Sequence, residues 1–396
     1  MTEERHRPPA RRLVASYCFP PYSDVSAVVA AKRVRERNEP VDVVQNAMDS
    51  IRSSDEELTE IAGDLVHRRV ALPSKTAFSS WTSIFEFQRM GLEVVSQWER
   101  EQGRPYESVY SRAQFAASHF LAARVKLSRP QLTWDAEFSD PLSHDVLGKE
   151  RSAPAEDDEL LELLRRAIEG AGFRPPSGVN ALEWCEVVAF AFADSITFTN
   201  PYQRDFMLEH CADPALAARV EGIATVSPHP TLPRQFYSMG HTDLSLEEGR
   251  FHIGYFGNFY ANRGIGRVVD ALGLLGENVR DRLRLHIFTA QTEEVQETVD
   301  DAGLDGVVRV GPFVGFLEFL TLCDRMDLLL VTDAVSPPGG TNPFLPSKWS
   351  DYKGSVTPVW GIVEEDSALD EQALDFRTPV EHTSAAAQLL ARLASR

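Results

Sequence analysis

The pattern that most restricts the fold of this chain is an alternation of short apolar runs with segments of helical periodicity, which occurs twice. The first series starts with a predicted strand at 12–17, a helix at 25–37 and a strand at 41–45. Strand, helix and parallel strand form a right-handed βαβ unit, and a series of such units predicts a parallel sheet covered by helices. The series restarts with a strand at 251–256, after a polar linker at 241–250. The sequence therefore predicts an α/β protein with two Rossmann-like domains that face each other across a cleft.

The two series also set the expected domain boundaries. They predict an N-terminal domain at 1–240 and a C-terminal domain at 241–380, followed by a closing helix at 381–396. Within the first domain, residues 54–67 are predicted as a helix. The stretch at 150–180 is interpreted as a mobile excursion, because an acidic segment with Pro and Ala is followed there by one helix and a loop with Gly and Pro.

Composition and charge restrict the class of protein. The formal net charge of -19 argues against general nucleic-acid binding, and leaves at most peripheral membrane contact. No apolar run reaches the ~18 residues of a transmembrane helix, and the N-terminus lacks an apolar signal core. The four cysteines are scattered, without the spacing of a zinc site. We therefore expect a cytoplasmic protein without a bound metal.

The most unusual residues of the chain follow an apolar run at 328–331, which is typical of a buried strand in a parallel sheet. A Gly-Gly pair at 339–340 allows the backbone to approach a ligand closely, and two prolines then stiffen the loop. A helix is expected next, with Ser347 as its N-cap and Lys348 in its first turn. A cation at a helix N-terminus beyond a strand end suits a phosphate or a diphosphate. The alternative is an ordinary strand–loop–helix connection with a surface lysine.

These patterns together resemble the GT-B glycosyltransferases of the large retaining family that includes bacterial polysaccharide and phosphoinositol-mannose transferases. The resemblance covers nearly the whole chain, and its short motifs lie at 19–21, 110–112, 134–141, 253–260 and 344–352. It implies transfer of a hexose from a nucleotide-sugar donor to a glycan or glycoconjugate acceptor, with retention of the anomeric configuration, in surface polysaccharide synthesis. The nucleotide-sugar is then a substrate, and no cofactor is implied.

The resemblance places the donor on the C-terminal domain. The departing nucleoside diphosphate gains charge during transfer, so cationic and amide donors must already point at it. The family often has an Arg after the first strand of this domain, where Asn258 follows Gly257 here, and a Lys a few residues later, near Arg263. Arg263 is therefore a catalytic candidate together with Lys348, since a guanidinium can bind phosphate through two hydrogen bonds. The alternative for Arg263 is an ordinary surface residue at a helix start.

The pair of glutamates that is usual in the family is altered here. The second corresponds to Asp351, whose carboxylate is suited to the ribose hydroxyls, and the first falls near Pro343. The sugar contact is expected instead from the backbone of Gly340 to Asn342, and Ser347 completes the expected donor-binding residues. The alternative for Asp351 is an acid that the helix dipole favours.

On the acceptor side, many members of the family have a His where this chain has Ser139. The adjacent Asp140 ends a predicted strand, and its carboxylate is a candidate to orient or deprotonate the acceptor hydroxyl. The alternative is an Asp that caps the turn before Pro141. Tyr22, on the loop after the first strand, and His229, on a loop that leaves a later strand, are further acceptor-side candidates.

Two other functions remain open at this point. The altered Arg and Glu positions are compatible with a catalytically silent GT-B relative that acts as a binding or scaffold subunit. A GT-B sugar-nucleotide epimerase is the other alternative. Nucleotide-sugar binding separates the first alternative from an enzyme, and the identity of the product separates an epimerase from a transferase.

Overall fold

The computed structural model describes residues 10–145, 148–259, 264–336, 340 and 342–395. The chain divides into two compact units, Met1–His229 and Pro230–Arg396. The segment 230–240, which we assigned to the first domain, and the closing helix are both part of the second unit. No helix in the described ranges is long and apolar enough to cross a membrane.

The first unit contains a parallel sheet of seven strands in the order β3-β2-β1-β4-β5-β6-β7. The strands are β1 (Arg12–Ala15), β2 (Val41–Asn46), β3 (Val66–Leu72), β4 (Ser108–Ala113), β5 (Thr133–Phe138), β6 (Ser195–Phe198) and β7 (Ala224–Val226). The helices are α1 (Val25–Arg37), α2 (Trp81–Gln102), α3 (Ala117–Ser128), α4 (Glu159–Gly170), α5 (Ala181–Phe192), α6 (Pro201–Glu209) and α7 (Pro214–Ile223). A 3-10 turn lies at Glu56–Ile61, and another at Arg234–Ser238 belongs to the second unit. The chain extends the sheet from β1 first to one side and then, from β4 onward, to the other. The strand order therefore reverses between β1 and β4, which is where open α/β sheets form a ligand crevice.

Local caps explain why α1 has the bounds that the sequence predicted. The side chain of Asp24 accepts a hydrogen bond from the backbone N–H of Ser26, at 2.7 Å, and this starts the helix. Asn38 ends it in the left-handed conformation, with φ of 51°. Apolar residues of the helix, among them Ala27 and Val34, are buried.

Two predictions for the first unit were wrong. Residues 54–67 form only the 3-10 turn Glu56–Ile61, and β3 follows it as an edge strand. The edge strand was not recognised because it is polar: Arg68 reaches inward to the carboxylate of Asp42 on β2, with Nη2 and Oδ2 at 2.7 Å. The stretch at 150–180 is not an excursion from the fold, because α4 buries an apolar face in the core of the unit.

The second unit contains a parallel sheet of six strands in the order β10-β9-β8-β11-β12-β13. The strands are β8 (Phe251–Phe256), β9 (Leu283–Phe288), β10 (Val308–Gly311), β11 (Leu328–Thr332), β12 (Val359–Val363) and β13 (Phe376–Pro379), and the helices are α8 (Gly266–Gly273), α9 (Glu277–Arg280), α10 (Thr292–Asp301), α11 (Phe316–Cys323), α12 (Lys348–Tyr352) and α13 (Thr383–Leu393). Here the strand order reverses between β8 and β11. The α/β fold with two Rossmann-like units that the sequence predicted is therefore confirmed.

The polar stretch at 241–250, which we interpreted as the linker between domains, is attached to the second unit. Leu244 and Leu246 pack against its core. Glu247 accepts hydrogen bonds from Arg284 on β9, at 2.8 and 2.7 Å. The chain passes from one unit to the other at His229 and Pro230 instead.

Candidate functional site

The predicted donor-binding residues of the second unit follow β8 and β11, the two neighbouring strands between which the strand order reverses. The residues after β8 are Gly257 and Asn258, and those after β11 are Gly340, Asn342, Ser347, Lys348 and Asp351. Because β8 and β11 are parallel, both segments leave the same edge of the sheet. This is the usual ligand edge of an open α/β sheet. Arg263 lies outside the described residues.

Lys348, the first residue of α12, extends across the end of β8. Its Nζ lies 4.5 Å from the centroid of the Tyr255 ring, which is a favourable position for a cation. Gly257 has φ of 147°, and a Cβ at this position would collide with Nζ and lie 2.8 Å from Cε of Lys348. A glycine is therefore required here for two reasons, its backbone conformation and the close approach of the lysine.

Asn258 connects the ends of two strands. Its Oδ1 accepts hydrogen bonds from Thr289 Oγ1, at 3.1 Å, and from the backbone N–H of Ala290, at 3.0 Å. Both donors directly follow β9. Because the side-chain oxygen of Asn258 already accepts these two hydrogen bonds, its side-chain amide nitrogen is the group that can donate a hydrogen bond to a ligand.

A buried carboxylate that the sequence analysis did not single out holds the loop after β11. Asp333 has no exposed surface, and its Oδ1 accepts hydrogen bonds from Asn342 Nδ2, at 2.9 Å, and from the N–H of Ala334, at 3.0 Å. Its other oxygen accepts a hydrogen bond from the hydroxyl of Ser367. Asn342 also accepts from the N–H of Phe344 at 3.0 Å and is itself buried, so its side chain fixes the loop. The available signal in the sequence was an acidic residue two positions after the apolar run at 328–331.

The start of α12 differs from the prediction. Ser347 has helical backbone angles, φ -56° and ψ -35°, and its side chain makes no capping hydrogen bond within the described part of the chain. Ser347 therefore occupies the predicted N-cap position, directly before the helix, without the side-chain hydrogen bond that was expected there. Asp351 is only 7% exposed, so its carboxylate is less open to ribose hydroxyls than a residue on a surface helix would be. Gly340 is exposed.

Three side chains hold α12 in place. Thr231 Oγ1 donates to the carbonyl of Ser350 at 2.7 Å, and the hydroxyl of the buried Tyr237 donates to the carbonyl of Asp351. On the other side, Tyr352 OH accepts a hydrogen bond from the N–H of Phe256 at 3.2 Å. The short helix that carries Lys348 is thereby fixed to β8 and to the first segment of the second unit.

In the first unit, two acceptor-side candidates connect neighbouring segments. Tyr22 is buried, and its hydroxyl donates to Asp49 Oδ2 at 3.0 Å, which joins the loops after β1 and β2. Ser139 is also buried, and its hydroxyl donates to the carbonyl of Ala113, the last residue of β4, at 3.0 Å. Both hydroxyls are thus committed to the fold of this edge of the sheet.

Asp140 is half-buried at the start of the loop after β5. This loop is held by Glu186 on α5, a residue that the sequence analysis missed. Glu186 Oε1 accepts from the backbone N–H groups of Leu142, at 2.8 Å, and Ser143, at 3.0 Å, and Oε2 accepts from the hydroxyl of Ser143 at 2.6 Å. Burial raises the pKa of Glu186 above the ordinary value of a glutamate.

A second missed carboxylate of the first unit, Glu137 on β5, lies at the centre of a buried cluster. It accepts hydrogen bonds from Arg33 Nε, at 2.9 Å, from Arg112 Nη1, at 2.9 Å, and from Tyr110 OH, at 2.8 Å. Burial alone would raise the pKa of Glu137, but the two guanidinium groups lower it below its usual value. His229, the remaining acceptor-side candidate, is buried beside this cluster, with Nε2 3.2 Å from Arg112 Nη2.

No family model matches the chain, and no curated protein matches its sequence. Similar solved structures include HepE of Anabaena in complex with UDP-glucose, at 12% identity over 97% of this chain and 92% of that chain, with a TM-score of 0.57. The catalytic domain of starch synthase IV from Arabidopsis thaliana, bound to ADP and acarbose, is similar at 10% identity over 97% and 94%, with a TM-score of 0.56. A UDP-N-acetylglucosamine 2-epimerase is similar at 9% identity over 95% and 86%, with a TM-score of 0.51. At these identities the likeness concerns the fold, and with the two parallel sheets it shows that this chain has the GT-B fold of glycosyltransferases.

Proposed function

We propose that this protein is a retaining glycosyltransferase that moves a hexose from a nucleotide-sugar donor to a glycan or glycoconjugate acceptor, in the cytoplasmic synthesis of bacterial surface polysaccharide. The observation that carries the proposal is the position of Lys348, whose ammonium lies over Tyr255 at the end of β8, where the strand order of the second unit reverses. A fixed cation at this edge is suited to the diphosphate of a nucleotide-sugar.

The proposed chemistry on the donor side is stabilisation of a leaving group. When the bond to the sugar breaks, negative charge develops on the diphosphate oxygens, and a cation that is already in place stabilises this charge without reorganisation. Lys348 supplies the charge and Asn258 supplies an N–H donor. Arg263 is proposed as the second cation, and Asp351 as the partner of the ribose hydroxyls.

On the acceptor side, Asp140 is the proposed group that orients or deprotonates the acceptor hydroxyl. It is half-buried and directly follows β5, and the loop that it begins is held by three hydrogen bonds to Glu186. A carboxylate on a fixed loop suits this role, since catalysis requires the acid or base within hydrogen-bond reach of the proton that it takes.

The similar structures support a nucleotide-sugar as the ligand class, because HepE was solved with UDP-glucose and starch synthase IV with ADP and acarbose. The direct experiment is a thermal-unfolding panel of UDP-, GDP-, ADP- and CMP-sugars. A ligand at about 100 times its dissociation constant stabilises the folded protein by ~2.7 kcal/mol, which is readily measured. The donor that stabilises the protein is then used with glycan acceptors, and NMR of the product reports the anomeric configuration. If no nucleotide-sugar raises the unfolding temperature, the scaffold alternative replaces the enzyme.

An epimerase is the second candidate, because a UDP-N-acetylglucosamine 2-epimerase is among the similar structures. The two functions differ in product. A transferase releases the nucleoside diphosphate only when the sugar leaves its donor, and its products include a glycosylated acceptor. An epimerase changes the configuration of the sugar without needing an acceptor, so incubation with the nucleotide-sugar alone separates the two.

A further inference from the structure

His229 contacts a group that restricts what its ring can do. Its Nε2 lies 3.2 Å from Nη2 of Arg112, and both side chains are buried. A guanidinium is protonated at all relevant pH values and has only hydrogen-bond donors. The hydrogen bond is therefore possible in one direction only, with Arg112 donating and the lone pair of His229 Nε2 accepting. A ring that accepts at Nε2 carries its proton on Nδ1.

The surrounding charges oppose a second proton on this ring. Three cations act on His229 electrostatically, Arg112 of β4 and Lys32 and Arg33 of α1. Glu137 of β5 forms ion pairs with both Arg33 and Arg112. Burial, followed by the charges of Arg112, Lys32 and Arg33, lowers the pKa of His229 well below its ordinary value. A cationic imidazole would lie next to a guanidinium in a buried site, and it would lose the lone pair that the hydrogen bond needs.

Arg112 itself has little freedom to move. Its Nη1 donates to Glu137 Oε1 at 2.9 Å, and Glu137 is fixed in turn by Arg33 and Tyr110. Arg33 Nη2 also donates to the carbonyls of Ser227, at 3.1 Å, and Pro228, at 3.0 Å, which precede His229. The same carboxylate thus orders the donor to the His229 ring and the backbone that carries it.

We propose that Arg112 is a positioning residue that holds His229 as the neutral imidazole with its proton on Nδ1, so that His229 serves as a hydrogen-bond donor and not as a base. In the proposed transferase, and resting on that function, His229 is therefore not the group that takes the proton of the acceptor hydroxyl. The acceptor hydroxyl then loses its proton to another group, for which Asp140 is the candidate.

The test is ¹⁵N NMR of the full-length protein with labelled histidine, in which long-range ¹H–¹⁵N couplings report the tautomer. Comparison with His229→Gln identifies the His229 signals. We expect a proton on Nδ1 and no titration of this ring between about pH 5 and pH 8, where an ordinary histidine changes its charge. A proton on Nε2, or a charged ring in this range, overturns the proposal. The spectrum does not depend on transfer, so an inactive protein leaves the test intact.

Three variants separate positioning from a general effect on folding. Arg112→Lys keeps a charged donor and Arg112→Gln keeps a neutral N–H donor, so both are expected to retain the Nδ1 tautomer, with a higher pKa of His229 in the Gln variant. Arg112→Met removes the donor and the charge, and is expected to bring the titration of His229 back toward the ordinary range. An unchanged tautomer and titration in a folded Met variant would contradict the role of Arg112. If that variant does not fold, the Lys and Gln variants and the wild-type spectrum decide.

Discussion

The ammonium of Lys348 lies 4.5 Å from the centroid of the Tyr255 ring, although the two residues belong to different elements of the second unit. The ring gives the cation a fixed position before any ligand binds. A positive charge that is placed in advance at a strand end is what a diphosphate leaving group requires. This contact therefore supplies the first and most direct test of the proposed donor site.

Lys348→Ala is expected to weaken nucleotide-sugar binding by ~1.5–3 kcal/mol, the range for a lost charged hydrogen bond. The free energy of unfolding should fall by about 0.5–2 kcal/mol, the range for a cation–π contact of a half-buried lysine. Isothermal titration calorimetry measures the affinity, and denaturant unfolding measures the stability. Arg263→Ala should give a loss of affinity in the same range.

Lys353→Ala is the matched control for this prediction. Lys353 directly follows α12, and its Nζ lies 4.7 Å from the centroid of the Trp349 ring, so it has the same kind of aromatic contact. It is not placed against Gly257. Equal losses of affinity in the Lys348 and Lys353 variants would indicate a general charge effect, and unchanged affinity in Lys348→Ala would remove the donor-site assignment.

Gly257→Ala is expected to lower both stability and nucleotide-sugar affinity. A residue with a side chain is strained at φ of 147°, and the new Cβ would displace the Lys348 ammonium. Strain of this kind costs about 1–3 kcal/mol, which denaturant unfolding detects. The affinity should fall at least as far as in Lys348→Ala, since the same cation moves.

Gly273→Ala provides the corresponding control. Gly273 ends α8, and apart from its chain neighbours and the backbone of its own helix, none of the described atoms lies within 4 Å of a Cβ built there. Alanine favours the helix over glycine by up to about 1 kcal/mol, so this variant should be as stable as the wild type or more stable. Wild-type stability and affinity in Gly257→Ala would show that the close approach of Lys348 to this backbone is not required.

Asp140→Asn keeps the shape of the side chain and removes its charge. Transfer is expected to slow by ~10²-fold or more, the usual effect of losing an acid or base group. Donor affinity should survive, because the proposed donor site belongs to the second unit. Asp205→Asn, an exposed carboxylate of α6 that pairs with Arg204, is expected to leave turnover unchanged. Transfer at the wild-type rate by Asp140→Asn would exclude the proposed role.

Glu186 is expected to make stability depend on pH. Its pKa in the folded protein is raised above the ordinary value of 4.5, so the folded state binds more protons than the unfolded state in the range above 4.5. Stability from this group is therefore present at low pH and is lost as the pH rises through the folded pKa. Glu186→Gln cannot ionise and keeps an oxygen for the two backbone N–H groups, so its stability relative to wild type should improve as the pH increases.

Denaturant unfolding of both proteins across this pH range measures the difference directly. Glu162→Gln serves as a control of opposite sign, because hydrogen bonds from Arg165 and Arg166 lower the pKa of Glu162. Glu162 is exposed to solvent, so its effect should be small. A constant difference between wild type and Glu186→Gln at all pH values would show that the loop after β5 is not held by an ionisable group with a raised pKa.

The class of fold and several elements could be predicted from the sequence, because their signals are local. The strand Leu328–Thr332 contains the continuous apolar run 328–331, and the helix Val25–Arg37 lies between a capping Asp24 and a left-handed Asn38. Edge strand β3 has no such signal. An edge strand is not buried on all sides, so its polar residues are set by partners elsewhere, as Arg68 is by Asp42.

The three-dimensional arrangement of the chain showed which of the candidate side chains hold the fold. The backbone of Gly340 to Asn342 was predicted to contact the donor, and the structure adds that the side chain of Asn342 is bound to Asp333 and holds the loop. Ser347 lies at the predicted N-cap position but makes no capping hydrogen bond within the described residues. His229 and Arg112 are 117 residues apart, and their hydrogen bond determines the tautomer of the ring. Such pairings depend on where the strands of a sheet end in space. A local pattern predicts that a strand will form, but the groups that meet beyond its end are selected by the order of the strands and by burial.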